Sequence, residues 1–207
     1  LITLDLRGSG GIHHLYSAAR AIYKDPICLF AAQKIKDCVK PNDVVLITTG
    51  TITSPAMLGE TDGPLGAAAL ARILSLGLEA RVIVLTEEAL VGIVKAACRG
   101  AGLNIVKASD LAKGHEFDIG KVSVSSFPID EEEAKRETEQ LLASWNPKAI
   151  IAIEKVGPNH LGIYHCYGLD FSSYHSKVGI LFSGAKQNRI LSIGIGDRGN
   201  EVGLGTI

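Results

Sequence analysis

Short apolar runs alternate with longer stretches in which apolar and polar residues mix. Val44-Val45-Leu46-Ile47-Thr48 is continuous and β-branched, the pattern of a strand buried on both faces. Ala149-Ile150-Ile151-Ala152-Ile153 repeats it, and weaker runs predict strands at Ala80–Leu85, Leu103–Val106, Lys121–Ser125 and Ile190–Ile195. Helices are expected between them. One spans Pro26 to Val39, with proline in its first turn. A small-residue helix spans Leu65 to Leu76, with Asp62 as its N-cap and Gly63 and Pro64 in the entering turn. A third runs from Glu87 to Arg99 under a Thr86 cap. A fourth, Glu131 to Ser144, opens on a capping-box pair, Asp130 and Glu133. Lys177 to Phe182 reads equally as a short helix or a strand. The segments His13 to Tyr23, Ser109 to Gly120 and Pro158 to Tyr174 show no clear period. Strands alternating with helices predict an α/β fold: three layers, a mostly parallel sheet with helices on both faces.

Composition narrows the function classes more than the fold. The 207 residues suit one domain over 1–207, and no linker divides them. Leu1 is not an initiator Met, so the natural ends are expected to lie beyond both termini. The formal net charge is −1, with no basic stripe, which argues against a nucleic-acid partner. The apolar runs are too short for a membrane span. Cys28, Cys38, Cys98 and Cys166 form no C-x-x-C pair and read as structural thiols in a reducing compartment. A cytoplasmic protein fits, an organelle matrix equally. The expected partner is a small amino acid or other small acid, and a homo-oligomer is left open.

Candidate chemistry collects where strands end. Glu60 and Asp62 follow the first strand, Glu154 follows Ala149–Ile153, and Asp197, Asn200 and Glu201 follow Ile190–Ile195. In a parallel sheet these turns share one edge. Carboxylates brought together repel, and a shared cation relieves them; an oxygen-rich set suits magnesium, manganese or calcium rather than zinc. Each acid taken alone also reads as a cap or a turn former. Gly194-Ile195-Gly196-Asp197-Arg198-Gly199 fits G-x-G-x-x-G, but too little chain follows it for a dinucleotide-binding unit. His160, His165 and His175 lie among Tyr164, Tyr167 and Tyr174 and supply candidate proton carriers. No G-x-S-x-G elbow or cysteine-nucleophile signature is present.

Four segments together resemble one family. Glu60-Thr61-Asp62-Gly63-Pro64-Leu65-Gly66-Ala67, Glu154-Lys155-Val156-Gly157, Gly162-Ile163-Tyr164-His165 and the run Gly196 to Gly205 are similar, in order and spacing, to the signatures of the D-glutamate cyclase C-terminal domain family. Three departures stand out: Arg198 where the family pattern has glycine, Lys155 where it has arginine, and a loose match around Tyr164 to Gly168.

The resemblance implies an α/β fold, a divalent metal with manganese favoured over magnesium, and conversion of D-glutamate to 5-oxo-D-proline plus water. Glu60, Asp62, Glu154 and Asp197 are then the expected metal ligands. Glu201, His165 and Tyr164 are the expected catalytic residues. Asn200, Gly63, Arg7 and Thr49 are expected to hold substrate. Two alternatives use the same carboxylates: a manganese-dependent hydrolase or phosphatase, with Gly8 to Gly11 cradling phosphate, and a catalytically weakened metal- or metabolite-binding domain.

Overall fold

The computed structural model describes residues 11–23, 26–53, 58–113 and 120–206. In chain order the elements are α1 (Gly11–Ile22), α2 (Ile27–Cys38), β1 (Val44–Thr49), β2 (Ile52–Thr53), β3 (Leu58–Gly59), α3 (Asp62–Gly77), β4 (Arg81–Thr86) and α4 (Val91–Gly100). There follow β5 (Asn104–Ile105), α5 (Ala108–Ala112), β6 (Lys121–Ser126), α6 (Glu131–Trp145), β7 (Ala149–Ile153), β8 (His165–Cys166), β9 (Leu169–Asp170), α7 (Val178–Gln187) and β10 (Leu191–Ile195). Six strands form one sheet in the order β10-β7-β1-β4-β6-β5, and every pairing in it is parallel.

Alternation along the buried strands divides the core into two layers. Val45 and Ile47 of β1 face Ala67, Ala71 and Leu74 of α3 and Val94 and Cys98 of α4. Val44 and Leu46 face Leu111 of α5, Ala134 and Leu141 of α6, and Val178 and Leu181 of α7. The result is the three-layer α/β arrangement expected from the sequence. No helix among the described residues is long and apolar enough to cross a membrane.

Helix starts differ from expectation where a side chain is needed elsewhere. Helix α3 begins three residues early, at Asp62, and its N-cap is Thr61. Asp62 is therefore not the cap; its Oδ1 accepts the N–H of Gly63 at 2.8 Å. Thr86 does not cap α4 either. It is the buried last residue of β4, and a 3-10 turn, Glu88–Leu90, precedes the helix. The α6 start matches: the Asp130 carboxylate accepts the Glu133 N–H at 2.9 Å. The unpatterned stretch after Gly10 contains α1, which the sequence reading missed.

Strand order places the site. From β1 the chain moves to β4 and onward in one direction, then returns through α6 to β7 on the opposite side of β1. The carboxyl ends of β1 and β7 therefore flank a topological switch point, where open α/β sheets form a crevice.

Candidate functional site

A cavity of about 560 Å³ opens over the ends of β1, β7 and β10. Glu60, Asp62, Glu154, Asp197 and Glu201 all line it, with His165, Tyr167, Arg198 and Asn200. A larger cleft of about 890 Å³ lies around the amino ends of β7 and β10; its lining has Lys148, Lys186 and Arg189 but no carboxylate.

Backbone pairing builds the acidic wall. After β10 the chain turns back and runs antiparallel to the segment that follows β7. Val156 bridges Glu201, the Gly157 N–H donates to the Asn200 carbonyl at 2.9 Å, and the Val202 N–H donates to the Lys155 carbonyl at 2.9 Å. That zipper sets Glu154 beside Asp197 and Glu201, whose ligand atoms with that of Glu154 all lie within 4.8 Å of one another. Gly196 permits the fold-back: a Cβ there would sit 2.6 Å from Cγ of Glu201.

Glu154 occupies a left-handed conformation, φ 45°, a state that costs a non-glycine residue energy and persists only where surroundings enforce it. Thr51 is one enforcer. Its hydroxyl donates to the Glu154 carbonyl at 2.7 Å, while its own carbonyl accepts the Glu60 N–H at 2.9 Å. The loop after β1 thus registers Glu60 against Glu154. Gly63 supplies the other contact: a Cβ there would come within 2.8 Å of Thr49 Oγ1 and 3.2 Å of Glu154 Cβ.

The left-handed turn sends neighbouring side chains in opposite directions. Glu154 lines the cavity, and Lys155 is fully buried beneath it. The Lys155 ammonium donates to the Glu87 carboxylate and, at 3.0 Å, to the Gly50 carbonyl. Glu87 Oε1 also accepts from the Ser176 N–H and hydroxyl, at 3.0 and 3.1 Å. Burial opposes ionisation of Glu87, but the Lys155 charge and the His175 ring, whose Nδ1 stands 3.5 Å from Oε1, outweigh it and hold the carboxyl at about 2. His175 is fully buried, and burial lowers its pKa.

The carboxyls above have no such relief. Burial first, then the charges of Glu201, Asp197, Asp62 and Glu60, push Glu154 up to about 8. Glu60 is raised as well, by burial and then by Asp62, against a lowering by Arg198. Glu201 alone has a dense set of donors: the N–H groups of Asp197, Arg198 and Gly199 approach its oxygens at 2.8–3.3 Å. Its carboxylate clamps the turn that carries Asp197.

The structure separates the other expected site residues. His165 lines the cavity, and its carbonyl accepts from Nδ2 of Asn200 at 2.9 Å. Tyr164 does not reach the cavity. Alternation about β8 turns its ring inward, 3 % exposed, where its hydroxyl accepts the Gly179 N–H at 3.1 Å. Thr49 is likewise buried, and Gly63 serves close packing of α3 on β1 and β7 rather than contact with a ligand. Arg7 and the glycines from Gly8 to Gly10 lie outside the described residues.

Residues 7–207 match the family described as D-glutamate cyclase-like, C-terminal. The chain belongs to this family. A search of curated proteins returned no match. The acidic turns that carried the resemblance are the segments that meet at the cavity, so family membership and geometry point to one place.

The cavity fits a divalent cation. Three carboxylates converge, Glu154 is destabilised in its charged form, and the oxygen-only donor set favours a hard ion. Cys166 also lines the cavity, and burial pushes its thiol up to about 11.

Proposed function

We propose that this cavity cyclises D-glutamate to 5-oxo-D-proline with release of water. The observation that carries the reading is the convergence of Glu154, Asp197 and Glu201 within one cavity of a D-glutamate cyclase-like chain. Glu154, Asp197 and Glu201 would hold the cation, manganese before magnesium, with Glu60 and Asp62 adding negative charge around it. When bound it would supply Lewis-acid chemistry, drawing charge from the substrate's γ-carboxylate.

The chain's own residues do the rest. The substrate ammonium gives up two protons and the γ-carboxylate one oxygen, which leave together as water while the C–N bond closes the ring. His165 is the cavity-lining residue that can accept and return a proton. Tyr164 has no part in this, because its ring is in the core. The cavity walls bend the substrate so that amine and carboxylate meet; well-oriented intramolecular reactions gain roughly 7–11 kcal/mol from such positioning.

The test is to strip the protein with a chelator, restore manganese, add D-glutamate and follow 5-oxoproline by mass spectrometry. Product that depends on manganese and on Asp197 supports the reading. No 5-oxoproline under any metal condition overturns it, and hydrolysis of p-nitrophenyl phosphate in its place would make the protein a phosphatase.

A further inference from the structure

Among the described residues, the cavity lining contains five carboxylates and one lysine or arginine side chain, Arg198. Such a field repels any acidic ligand, so a small acid needs a cationic handle of its own besides a metal. Arg198 is built to be that handle. Its backbone is pinned, because its N–H approaches both Glu201 oxygens, at 3.1 and 3.2 Å. Its guanidinium lies over the Tyr167 ring, 5.6 Å from the centroid, within the range of a cation–π contact. Tyr167 sits at the tip of the β8–β9 hairpin, in a turn with positive φ at Tyr167 and Gly168. That hairpin is tied to the Arg198 turn by the Asn200–His165 hydrogen bond.

The guanidinium is held, and its ion pair with Asp197 is long. Its Nε stands 3.7 Å from Asp197 Oδ1, beyond hydrogen-bond distance, and its side chain is 61 % exposed at the cavity rim. It makes no hydrogen bond among the described residues. A planar fork presented on an aromatic ring matches a carboxylate or a phosphate, and the cyclisation reading selects the carboxylate.

We propose that Arg198, seated on Tyr167, is the carboxylate anchor of the cavity and selects small dicarboxylic acids as its ligands. The assignment of which carboxylate it holds rests on the cyclisation reading. There the γ-carboxylate lies at the Glu154–Asp197–Glu201 cluster, which leaves the α-carboxylate for Arg198. With both ends fixed, the chain is bent so that the amine can approach the γ-carboxylate carbon.

Calorimetry with glutarate isolates the anchor from the chemistry, because glutarate has both carboxylates and no amine to cyclise. With manganese present, the unaltered protein should bind glutarate and not its uncharged diamide. Arg198→Gly should weaken glutarate binding by about tenfold or more, the usual scale for losing a charged hydrogen-bond partner, while manganese affinity is kept or rises. Arg198→Lys should recover part of the loss, since a point charge lacks the fork. Tyr167→Ala should bind glutarate more weakly, and Tyr167→Phe, which keeps the ring face, should recover part of that loss. Circular dichroism checks that each variant folds. Glutarate binding unchanged in Arg198→Gly, or no glutarate binding by the unaltered protein, overturns the proposal. Glutarate binding that depends on Arg198 without 5-oxoproline from D-glutamate keeps the anchor and removes the cyclase reaction.

Discussion

Glu154 and Lys155, one peptide bond apart, belong to two acidic sites that solve the same electrostatic problem in opposite ways. Below the sheet edge, Glu87 is 1 % exposed and meets Lys155 and both Ser176 donors. Its carboxyl is held at about 2. Above, Glu154 is half-buried among four further carboxylates and is pushed up to about 8. The protein supplies the buried acid with a cation from its own chain. Among the described residues, the lysine or arginine side chain lining the cavity with the acids is Arg198, at the rim. A satisfied charge makes a foundation, and an unsatisfied cluster makes a site.

The strongest way to break the contrast is to unsatisfy the foundation. Lys155→Met leaves the Glu87 charge buried and without its ammonium, and should cost about 3–5 kcal/mol in chemical denaturation. The double variant Lys155→Met with Glu87→Gln should recover much of that loss, because neither charge remains. If the single variant is as stable as the parent, the pair does not support the sheet edge.

The second test unsatisfies nothing and empties the site. Asp197→Asn should lower manganese affinity by at least about tenfold, since even loss of residues behind a metal ligand commonly costs that much. Thermal stability without metal should stay level or rise as one repulsive charge is removed. Unchanged affinity in calorimetry would take Asp197 out of the ligand set.

The frame of the site was legible in the sequence, and its foundation was not. Continuous β-branched runs announced β1 and β7, and acids placed directly after strands announced the shared edge. Glu87 carried no such signal. Read along the chain it follows a threonine and opens a helix. Its partners lie 68 and 89 positions away and become neighbours only when β4, β7 and the segment before α7 converge. Tyr164 misled in the reverse sense. It stands beside His165 in a loop-rich stretch, yet its ring is buried in the core, while His165, Cys166 and Tyr167 line the cavity. Arg198 was visible as a departure from the family pattern, but the ring that holds it comes from another hairpin.

The two acids also predict opposite pH limbs for metal-free protein. Glu87 has a depressed pKa, so its contribution is present above 4.5 and is lost as pH falls toward about 2. Glu154 has a raised pKa, so its contribution is complete below 4.5 and is lost as pH rises toward about 8. Water reaches the half-buried Glu154 carboxyl, so the alkaline loss should be about 1–2 kcal/mol rather than the full unscreened value. Denaturation curves from pH 4 to 9 should show this decline, and both manganese and Glu154→Gln should flatten it. A decline that persists in Glu154→Gln would assign it to other groups.

The smallest effect separates the core of the cluster from its margin. Asp62 lines the cavity but stands outside the three carboxylates that converge. Its Oδ1 already accepts the Gly63 N–H, a bond that asparagine keeps. Asp62→Asn should therefore leave α3 and overall stability unchanged and weaken manganese binding only about two- to fivefold, through lost long-range attraction in a partly solvated cavity. That loss should fade in high salt, whereas the Asp197→Asn loss should not. An Asp62→Asn defect as large as that of Asp197→Asn, and equally resistant to salt, would move Asp62 from the margin into direct contact with the ion.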